Sequence, residues 1–406
     1  MKLKNQEFVF NRTSERIRRR CASGVQGGHR FRATCYTKHV AKARPFDTFI
    51  FGSTVLLSLG GFLIFMSASL GLLARESRQL GDVATSQFFL GLVGGFLALL
   101  VVSYLPYRLY RKYAPYLFII SILITLLVFI PGIGLELNGA KRWLDLGFTT
   151  FQPVEILKIG YVLYLAAWLS GRRGKALEKA TGGFIPFIVI TGIAATILLM
   201  QPDTGSFLVI LSAGLAMFLA AGATFKDMAL LAFIGIIGFG GLIMARPYLL
   251  DRITTFLDPS HDPLGSSYQI QQSLLAVGSG QVVGRGFGQS VQKFNYLPEP
   301  TSDSIFAVFA EEFGFVGSIV VLSAFLLFVL RALFIAARTP DVFGGLVAVG
   351  IAILIATQVF LNIGSMLAIV PLTGLPLTFI SHGGSALFVS LASIGILLNI
   401  SRSKTA

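Results

Sequence analysis

Long apolar runs, separated by short polar segments, make up the chain from residue 46 onward. Ten of the runs approach the roughly 20 residues that a helix needs to cross the hydrocarbon core of a bilayer. They lie near residues 47–71, 86–105, 114–132, 153–170, 182–200, 205–222, 227–245, 304–336, 344–370 and 384–401. The pattern predicts an all-α, polytopic membrane protein with about ten transmembrane helices.

The composition supports a membrane protein and argues against a zinc centre. Hydrophobic residues make up 54% of the 406 positions and charged residues only 13%, whereas a soluble protein carries about 25% charged residues. The two cysteines, Cys21 and Cys35, lie near His29 and His39 at spacings that fit no usual zinc finger. We therefore predict neither a disulfide framework nor a zinc site.

Residues 1–45 form a separate, strongly basic segment. They hold twelve Lys and Arg residues against two Glu residues and no sustained apolar run, so we expect a disordered cytoplasmic tail. This tail supplies most of the formal net charge of +14. Basic residues beside a first span are explained by membrane orientation and anionic lipid, so the charge does not indicate nucleic acid. Residues 46–403 then form the transmembrane domain.

The charges between the spans predict the orientation. One set of connections holds the N-terminal tail, the C-terminal Arg402 and Lys404, and most of the remaining Lys and Arg residues. By the positive-inside rule this set is cytoplasmic, together with both termini. The outward set comprises residues 72–85, 134–152, 201–205, 246–302 and 371–383, and it carries nearly all of the unusual polar chemistry.

The longest outward loop, residues 246–302, joins the seventh and eighth predicted helices. It is neither highly charged nor of low complexity. Ile270, Leu274 and Val277 recur within it at helical spacing. We predict a short helix here that lies on the bundle or dips into it.

Acidic residues gather where this loop enters the eighth span. Glu299 and Asp303 precede the apolar run, and Glu311 and Glu312 fall inside it. Carboxylates at membrane depth are costly, and that cost usually marks function. Asp303 is either a helix cap, which the helix dipole favours, or a general base at the outer surface. Glu311 and Glu312 need partners, so we expect them to brace the bundle through hydrogen bonds.

Two cations stand in an outward segment, against the positive-inside trend. Lys141 and Arg142 lie directly before Trp143. The group is either an interfacial Trp anchor with snorkelling cations or a binding site for a phosphate, which Lys and Arg both suit. The residues alone leave both interpretations open.

Three further polar features interrupt the spans. Glu155 and Lys158 share one helix face, either as a structural ion pair or as a phosphate-holding lysine that the glutamate orients. Gln201 and Asp203 lie in a short break, where we favour Asp203 as a helix cap over a role in lining a site. His382 lies in a segment rich in Gly and Pro, and a lone histidine of this kind is more often structural than catalytic.

Several motifs occur in a fixed order between residues 138 and 385. They are NGAKRW, QPVEILK, QPDTG, DRITTFLDP, YQIQQSLLAVGSG, LPEPTSDSIFAVFAEE and PLTGLPLTFISHGGS. In this order the chain resembles the SEDS family (shape, elongation, division and sporulation) over roughly residues 46–402. Asp251-Arg252, residues 371–376 and the ending over residues 398–402 resemble the cell-division branch more than the elongation branch. Thr301-Ser302, Val154 and His382 depart from the resemblance, because the family usually has a His-Thr pair, a Ser and a Tyr there.

The resemblance implies a peptidoglycan glycosyltransferase that polymerises lipid II on the outer face of the bacterial cytoplasmic membrane. It also implies that the protein acts at the division septum with other division proteins and that a class B penicillin-binding protein is its partner. The essential acidic residue of the family falls on Asp303. Its Glu and Lys of the fourth span fall on Glu155 and Lys158.

The residues suit that reaction. Asp303 would accept the proton of the attacking sugar hydroxyl. Lys141, Arg142, Lys158 and Arg285 would stabilise the departing pyrophosphate. A divalent cation, Mg²⁺ or Mn²⁺, could share that charge, but no His or Asp spacing in the sequence indicates ligands for one. The other substrate-binding candidates are Trp143, Glu155, Gln201, Asp203 and Glu299.

Three alternatives stay open at this point: a flippase for a lipid-linked precursor, an elongation-type polymerase, and an inactive scaffold for division proteins. A flippase needs polar groups at mid-depth and on both faces of the membrane. Here the polar chemistry gathers on the outward side, and the cytoplasmic connections are short and merely basic. The distribution favours surface chemistry over translocation.

Overall fold

The computed structural model describes residues 46–73, 81, 83–137, 140–145, 147, 150–172, 183–258, 267–294 and 296–403. The predicted basic tail lies outside these residues. So do the zinc candidates Cys21, His29, Cys35 and His39.

Ten apolar helices form the body of the described part. They are α1 (Thr48–Leu73), α2 (Val83–Tyr104), α3 (Tyr107–Leu126), α4 (Pro153–Ser170), α5 (Phe184–Met200), α6 (Thr204–Ala220), α7 (Phe225–Ala245), α10 (Ile305–Arg338), α11 (Val342–Met366) and α12 (Gly384–Ser401). Eight are long and apolar enough to cross a membrane, while α5 and α6 have 17 residues each. The predicted class of all-α polytopic membrane protein is confirmed.

The third span differs most from its predicted bounds of 114–132. Helix α3 begins at Tyr107, directly after Pro106, and ends in a 3₁₀ turn over Leu127–Phe129. Three cations that precede the predicted span, Arg108, Arg111 and Lys112, therefore lie in the first turns of the helix. A helix can begin before its apolar run because long cationic side chains reach back to the interface.

Helices α4, α11 and α12 form the centre of the bundle. The most apolar windows of these three helices are 67%, 72% and 83% buried, whereas that of α7 has no buried residue. Glycines allow the close approach: a Cβ on Gly395 of α12 would lie 2.6 Å from the Leu99 carbonyl of α2. Small residues are the usual means of bringing membrane helices into contact.

A small antiparallel sheet stands where we predicted only a loop. Its strands are β1 (Gly134–Leu137), β2 (Ala140–Asp145) and β3 (Thr150–Phe151), in the order β1-β2-β3. The pairing places Glu136 opposite Lys141. The Asn138-Gly139 dipeptide between β1 and β2 is a strong hairpin signal in the sequence, and our prediction did not use it.

Two helices lie between α7 and α10. Helix α9 (Tyr268–Ser279) confirms the predicted short helix of the outward loop and packs against α10. Helix α8 (Pro247–Leu257) was not predicted. It is too short for a span, and its amphipathic pattern follows the apolar run of α7 after only Arg246.

The segment after α9 folds back onto α10 at a kink. Gly314 adopts a φ of 65°, which favours glycine, and interrupts the helical dihedrals of α10. The Arg285 amide donates to the Glu311 carbonyl at 3.0 Å, and the Phe315 amide donates to the Gln281 carbonyl at 2.9 Å. These bonds join the loop to α10 on both sides of the kink.

Buried charges fix the same segment. The Lys293 ammonium lies 2.8 Å from Glu312 Oε1, and the Ser67 hydroxyl of α1 donates to the same carboxylate at 2.6 Å. Glu311 accepts from the Ser290 hydroxyl at 2.5 Å. The expectation that the two glutamates brace the bundle through hydrogen bonds is confirmed.

Long-range contacts define two ends of the bundle. At the loop end, β2 contacts the turn after α5, and the segment between α11 and α12 contacts the residues before α10. At the opposite end, Arg331 of α10 pairs with Asp47 at 2.8 Å, and the Asp47 amide donates to Ser401 of α12 at 3.0 Å. The loop end holds the described parts of the segments that we predicted to face outward.

Candidate active site

A cavity of about 350 Å³ lies at the loop end. Strand β2, helices α8 and α9, the approach to α10 and the segment before α12 all contribute to its walls. Its lining residues are Ala140, Arg142, Trp143, Gln152, Arg252, Gln269, Glu299, Ser302, Asp303, Gly374, Pro376, His382, Gly383 and Ala386. Four of the predicted site residues meet here: Arg142, Trp143, Glu299 and Asp303.

Asp303 lies one residue before the N-cap of α10. The N-cap residue is Ser304, and no side chain caps this helix end. Asp303 Oδ1 is buried and finds no hydrogen-bond partner among the described residues. The sequence left two interpretations of Asp303 open, a helix cap and a general base. The carboxylate does not cap the helix, and it lines the cavity instead.

The surroundings of Asp303 tune its acidity. Burial and then the Glu299 carboxylate raise the pKa of its carboxyl to about 6, while a hydrogen bond from Gln269 and the charge of Arg252 act in the opposite direction. A carboxyl group with a pKa near the working pH is suited to general base catalysis.

The backbone of Asp303 is fixed from α11. The buried amide of Asn362 donates to the carbonyls of Asp303 and Leu375, at 2.7 Å each. The Ser381 hydroxyl donates to the Ser302 carbonyl at 2.5 Å and accepts from the Leu377 amide at 2.7 Å. These side chains join the residues before α10 to the segment before α12. They therefore fix the position of two walls of the cavity relative to each other.

Arg142 faces the cavity from β2 and is held by a neighbouring turn. Its Nε donates to the Gln201 carbonyl at 3.2 Å, and a terminal nitrogen donates to the Pro202 carbonyl. A guanidinium has five N–H donors, so these two bonds leave others free for a ligand.

Arg252 is the second cation of the cavity, and the sequence interpretation gave it no role. It extends from α8, and its Nη1 donates to the Leu372 carbonyl at 2.9 Å. Burial and then the like charge of Arg142 lower the pKa of Arg252, while Asp203 and Asp303 act against that. Two guanidinium groups that repel each other in one cavity form a site that an anion would relieve.

The structure separates Lys141 from Arg142, although we grouped them. Lys141 is half exposed, does not line the cavity, and lies 3.8 Å from Glu136, its partner on β1. Arg285 likewise lies outside the cavity lining, 3.5 Å from Glu311 in the segment that folds onto α10. Both cations are paired with carboxylates outside the cavity: Lys141 with the exposed Glu136 and Arg285 with the buried Glu311.

Glu155 and Lys158 lie deeper in the bundle. They form a buried pair at 2.8 Å, and the Lys158 ammonium also donates to Gln358 of α11 at 2.9 Å. Both line a second cavity of only about 20 Å³, which is room for one water molecule. The geometry is that of a neutralised ion pair, separate from the walls around Asp303.

Gln201 and Asp203 are buried in the turn between α5 and α6. Asp203 caps α6 by accepting from the Ser206 amide at 3.0 Å, as we favoured. The Gln201 side chain donates to the Thr125 carbonyl of α3 at 3.0 Å. Neither lines the cavity, but the carbonyls of this turn hold Arg142.

Sequence reasoning missed several lining residues. Arg252 stood in a quoted motif without a role, and Gln152 and Gln269 carried no individual signal. His382 was noted only as a structural histidine. The sequence did contain one signal for Arg252, the amphipathic pattern of residues 247–257. That pattern predicts a helix with one face packed against the bundle.

Comparison with known proteins places the whole described region in one family. The profile of the FtsW/RodA/SpoVE family, described as "Cell cycle protein", matches residues 47–406. Stage V sporulation protein E of Bacillus subtilis (strain 168) is 37% identical over 361 residues, covering 89% of this chain and 98% of that protein. A probable peptidoglycan glycosyltransferase FtsW of Geobacter sp. (strain M18) is 37% identical over 360 residues, with the same coverage.

Solved structures share the fold. A chain of a peptidoglycan synthase complex, studied for its coordination of polymerization and crosslinking, superimposes with a TM-score of 0.73 at 28% identity, covering 88% of this chain and 98% of that one. The rod shape determining protein RodA of Thermus thermophilus gives a TM-score of 0.64 at 27% identity, covering 89% and 98%.

Proposed function

The chain belongs to the FtsW/RodA/SpoVE family of cell cycle proteins, which its motifs identified as the SEDS family, and from this we propose that it is a peptidoglycan glycosyltransferase. Its substrate is lipid II, whose sugars are linked to a lipid through pyrophosphate. The observation that carries the proposal is the buried Asp303 carboxylate, whose Oδ1 has no hydrogen-bond partner among the described residues and which shares one cavity with the two guanidinium groups of Arg142 and Arg252.

The cavity supplies the two groups that glycan polymerisation requires. A sugar hydroxyl has a pKa far above 7, so it needs a base when its oxygen attacks the anomeric carbon, and Asp303 accepts that proton. The bond between the anomeric carbon and the pyrophosphate oxygen breaks in the same displacement. Arg142 and Arg252 stabilise the negative charge that develops on the pyrophosphate.

This displacement inverts the anomeric carbon and needs no covalent sugar–enzyme intermediate. Glu299, the second carboxylate of the cavity, therefore has another role. It raises the pKa of Asp303. It also lines the cavity in which the substrate phosphates would bind. Arg142 and Arg252 now take the phosphate role that we first gave to Lys141, Lys158 and Arg285.

A divalent cation fits this arrangement only together with substrate. The described residues contain no cluster of three or more His, Cys, Asp or Glu that could hold a metal. Mg²⁺ is commonly held by one or two carboxylates plus substrate phosphates. We propose that Glu299 holds Mg²⁺ or Mn²⁺ with the pyrophosphate, whose charge the ion would share. Chelation with EDTA should abolish polymerisation and Mg²⁺ should restore it; full activity in EDTA would refute the ion.

The flippase alternative has less support. The buried charges at mid-bundle, Glu155 and Lys158, neutralise each other at 2.8 Å beside space for a single water. A translocation path would need such groups to face an open channel. Transport of lipid II by the Asp303→Asn variant, without any polymerisation, would favour the flippase.

The partner and the place of action follow from the same proposal. One chain of the peptidoglycan synthase complex is similar to 88% of this chain. We propose a class B penicillin-binding protein as partner, in the cytoplasmic membrane at the division septum. Co-purification of the two proteins and a septal location of the tagged chain are the expected results. Synthesis that continues in full while partner recruitment is lost would instead point to a separate scaffold role.

The central experiment is glycan polymerisation by the purified chain with a class B partner and lipid II. The Asp303→Asn variant should fold normally and form no glycan chains, because the amide cannot accept the proton. The matched control is Asp251→Asn on α8, an exposed carboxyl that does not line the cavity. Glycan chains of normal length from Asp303→Asn would refute Asp303 as the base.

A further inference from the structure

His382 is held in the cavity wall from three directions. Its amide donates to the Thr301 carbonyl at 2.7 Å, two residues before Asp303. The side chain of Gln87 in α2 brackets it, donating to the Ser381 carbonyl at 3.2 Å and accepting from the Gly383 amide at 3.0 Å. The imidazole ring stacks on Phe65 of α1, with centroids 5.8 Å apart. Backbone and ring are therefore both fixed.

The supporting part of α2 has an unusual backbone. Residues Ser86–Gly94 are π-helical, and Gln87 lies in the first turn of that stretch. Gly384 packs so closely on α2 that a Cβ there would lie 2.9 Å from the Ser86 carbonyl. π-Helical turns are rare and occur frequently at functional sites. Here the π-helical turn lies where α2 supports the residues on either side of His382.

The polar atoms of the ring are free. Within the described part of the chain, neither ring nitrogen of His382 forms a hydrogen bond with protein, and the residue lines the cavity. The charged groups that share this cavity are Arg142, Arg252, Glu299 and Asp303. Burial lowers the pKa of His382 to about 4, so the imidazole is neutral near pH 7. A neutral imidazole offers one donor and one acceptor.

We infer that His382 contacts the substrate, hydrogen-bonding a sugar hydroxyl of the lipid-linked glycan beside Asp303; this inference rests on the proposed function. A hydroxyl both donates and accepts, which matches the neutral ring. Phosphate oxygens only accept, and the two guanidinium groups are better partners for them. His382 is thus a specificity-determining residue that works on the sugar, while the arginines work on the pyrophosphate.

A purely structural histidine would act through its ring stack on Phe65. His382→Phe keeps a planar ring for that stack and removes both nitrogens, whereas His382→Gln keeps a donor and an acceptor and removes the ring. The two variants therefore separate the roles. Both should be assayed with the class B partner on lipid II, with KM and kcat measured separately and thermal unfolding recorded in detergent.

The inference predicts that His382→Phe raises the KM for lipid II about tenfold, the worth of one good hydrogen bond, without lowering the unfolding temperature. His382→Gln should recover most of the wild-type KM. Between pH 6.5 and 8 the ratio of the wild-type KM to that of His382→Gln should stay constant, because a neutral imidazole does not titrate there.

Three results would overturn the inference. His382→Phe could match the wild-type kinetics, the Gln variant could be the worse of the two, or the KM ratio could change as an imidazolium loses its proton. These outcomes differ from failure of the proposed function. If the wild-type chain with its partner forms no glycan from lipid II, the proposed function fails; if it polymerises and the His382 variants behave as just described, only the sugar contact fails.

Discussion

The acidity of Asp303 depends on a neighbour that can be changed without touching the base itself. Glu299 raises the pKa of Asp303 by its charge, after the larger effect of burial. Glu299 follows Pro298 and adopts a positive φ of 47°, and the Ser302 and Ser304 amides both donate to its carbonyl at 3.2 Å. This tight turn places both carboxylates in one cavity.

Glu299→Gln also removes the proposed ligand of the divalent cation, so its rate should be lower at every pH; we predict that the acidic limb of its pH–rate profile nevertheless moves to lower pH. Asp303 works as a base only when it is deprotonated, so kcat/KM of the wild type should fall about tenfold per pH unit below pH 6. Without the Glu299 charge the Asp303 pKa is lower, and the fall should begin at a lower pH. The same measurement on Glu136→Gln, an exposed carboxyl on β1, should show an unchanged limb. A limb that stays in place in Glu299→Gln would belong to another group.

A second prediction at this scale concerns Arg252. Its replacement by Met should lower kcat by about 10²–10³, because a preorganised donor aimed at developing charge is lost. Arg252→Lys should recover only part of that loss, since an ammonium lacks the planar fork of a guanidinium. The matched control is Lys141→Met, because Lys141 lies outside the cavity. Wild-type turnover by Arg252→Met, or a large loss in the control, would contradict the assignment.

At the scale of elements, the segment after α9 depends on one buried ion pair. Lys293 and Glu312 are both almost completely buried, and the Lys293 ammonium also donates to the Gly288 carbonyl at 2.8 Å. Lys293→Met would leave a buried carboxylate with only the Ser67 hydroxyl and the more distant Ser290 amide. Breaking a buried pair from one side typically costs about 3–5 kcal/mol.

We therefore predict that Lys293→Met lowers the free energy of unfolding by about 3–5 kcal/mol, measured by denaturation in detergent. Glu312→Gln should also lower stability, because it leaves the buried Lys293 ammonium without its counter-charge. The exposed pair of Lys141 and Glu136 supplies the control, and Lys141→Met should change stability little because surface pairs contribute little. Equal stability of Lys293→Met and the wild type would show that the segment is held by its backbone bonds alone.

The elements differ in how far the sequence predicts them. Length alone identifies the ten apolar helices, because a bilayer demands about 20 apolar residues. The same criterion passes over α8, whose 11 residues mix polar and apolar positions. It also passes over the π-helical turn of α2, because a change of helical pitch leaves no mark in an apolar run.

The site divides in the same way. Asp303, Glu299, Arg142 and Trp143 are charged or aromatic residues beside apolar runs, so each carries a local signal. Arg252 meets its carbonyl partner across 120 positions of the chain, and His382 becomes a cavity residue only through Gln87 and Thr301. Such pairings arise from tertiary packing between distant segments, and local patterns in a single sequence do not predict them.

At the scale of the whole molecule, the orientation in the membrane decides whether the cavity meets its substrate. The cavity lies at the loop end, and the Asp47–Arg331 pair lies at the opposite end. The described residues begin before α1 and end after α12 at that opposite end, where the Asp47 amide donates to Ser401. The positive-inside rule predicts that this end is cytoplasmic and that the cavity is extracytoplasmic.

We predict that a thiol at the loop end reacts with a membrane-impermeant maleimide in intact spheroplasts, while one at the opposite end reacts only after permeabilisation. Gln289→Cys and Pro340→Cys form a matched pair, because both residues are exposed and lie in connections at the two ends. Cys21 and Cys35 would first be replaced by Ser to remove the native thiols. Labelling of Pro340→Cys in intact spheroplasts, with Gln289→Cys protected, would place Asp303 on the cytoplasmic side. Lipid II polymerisation on the outer face would then be ruled out, since the base and both guanidinium groups would face the wrong compartment.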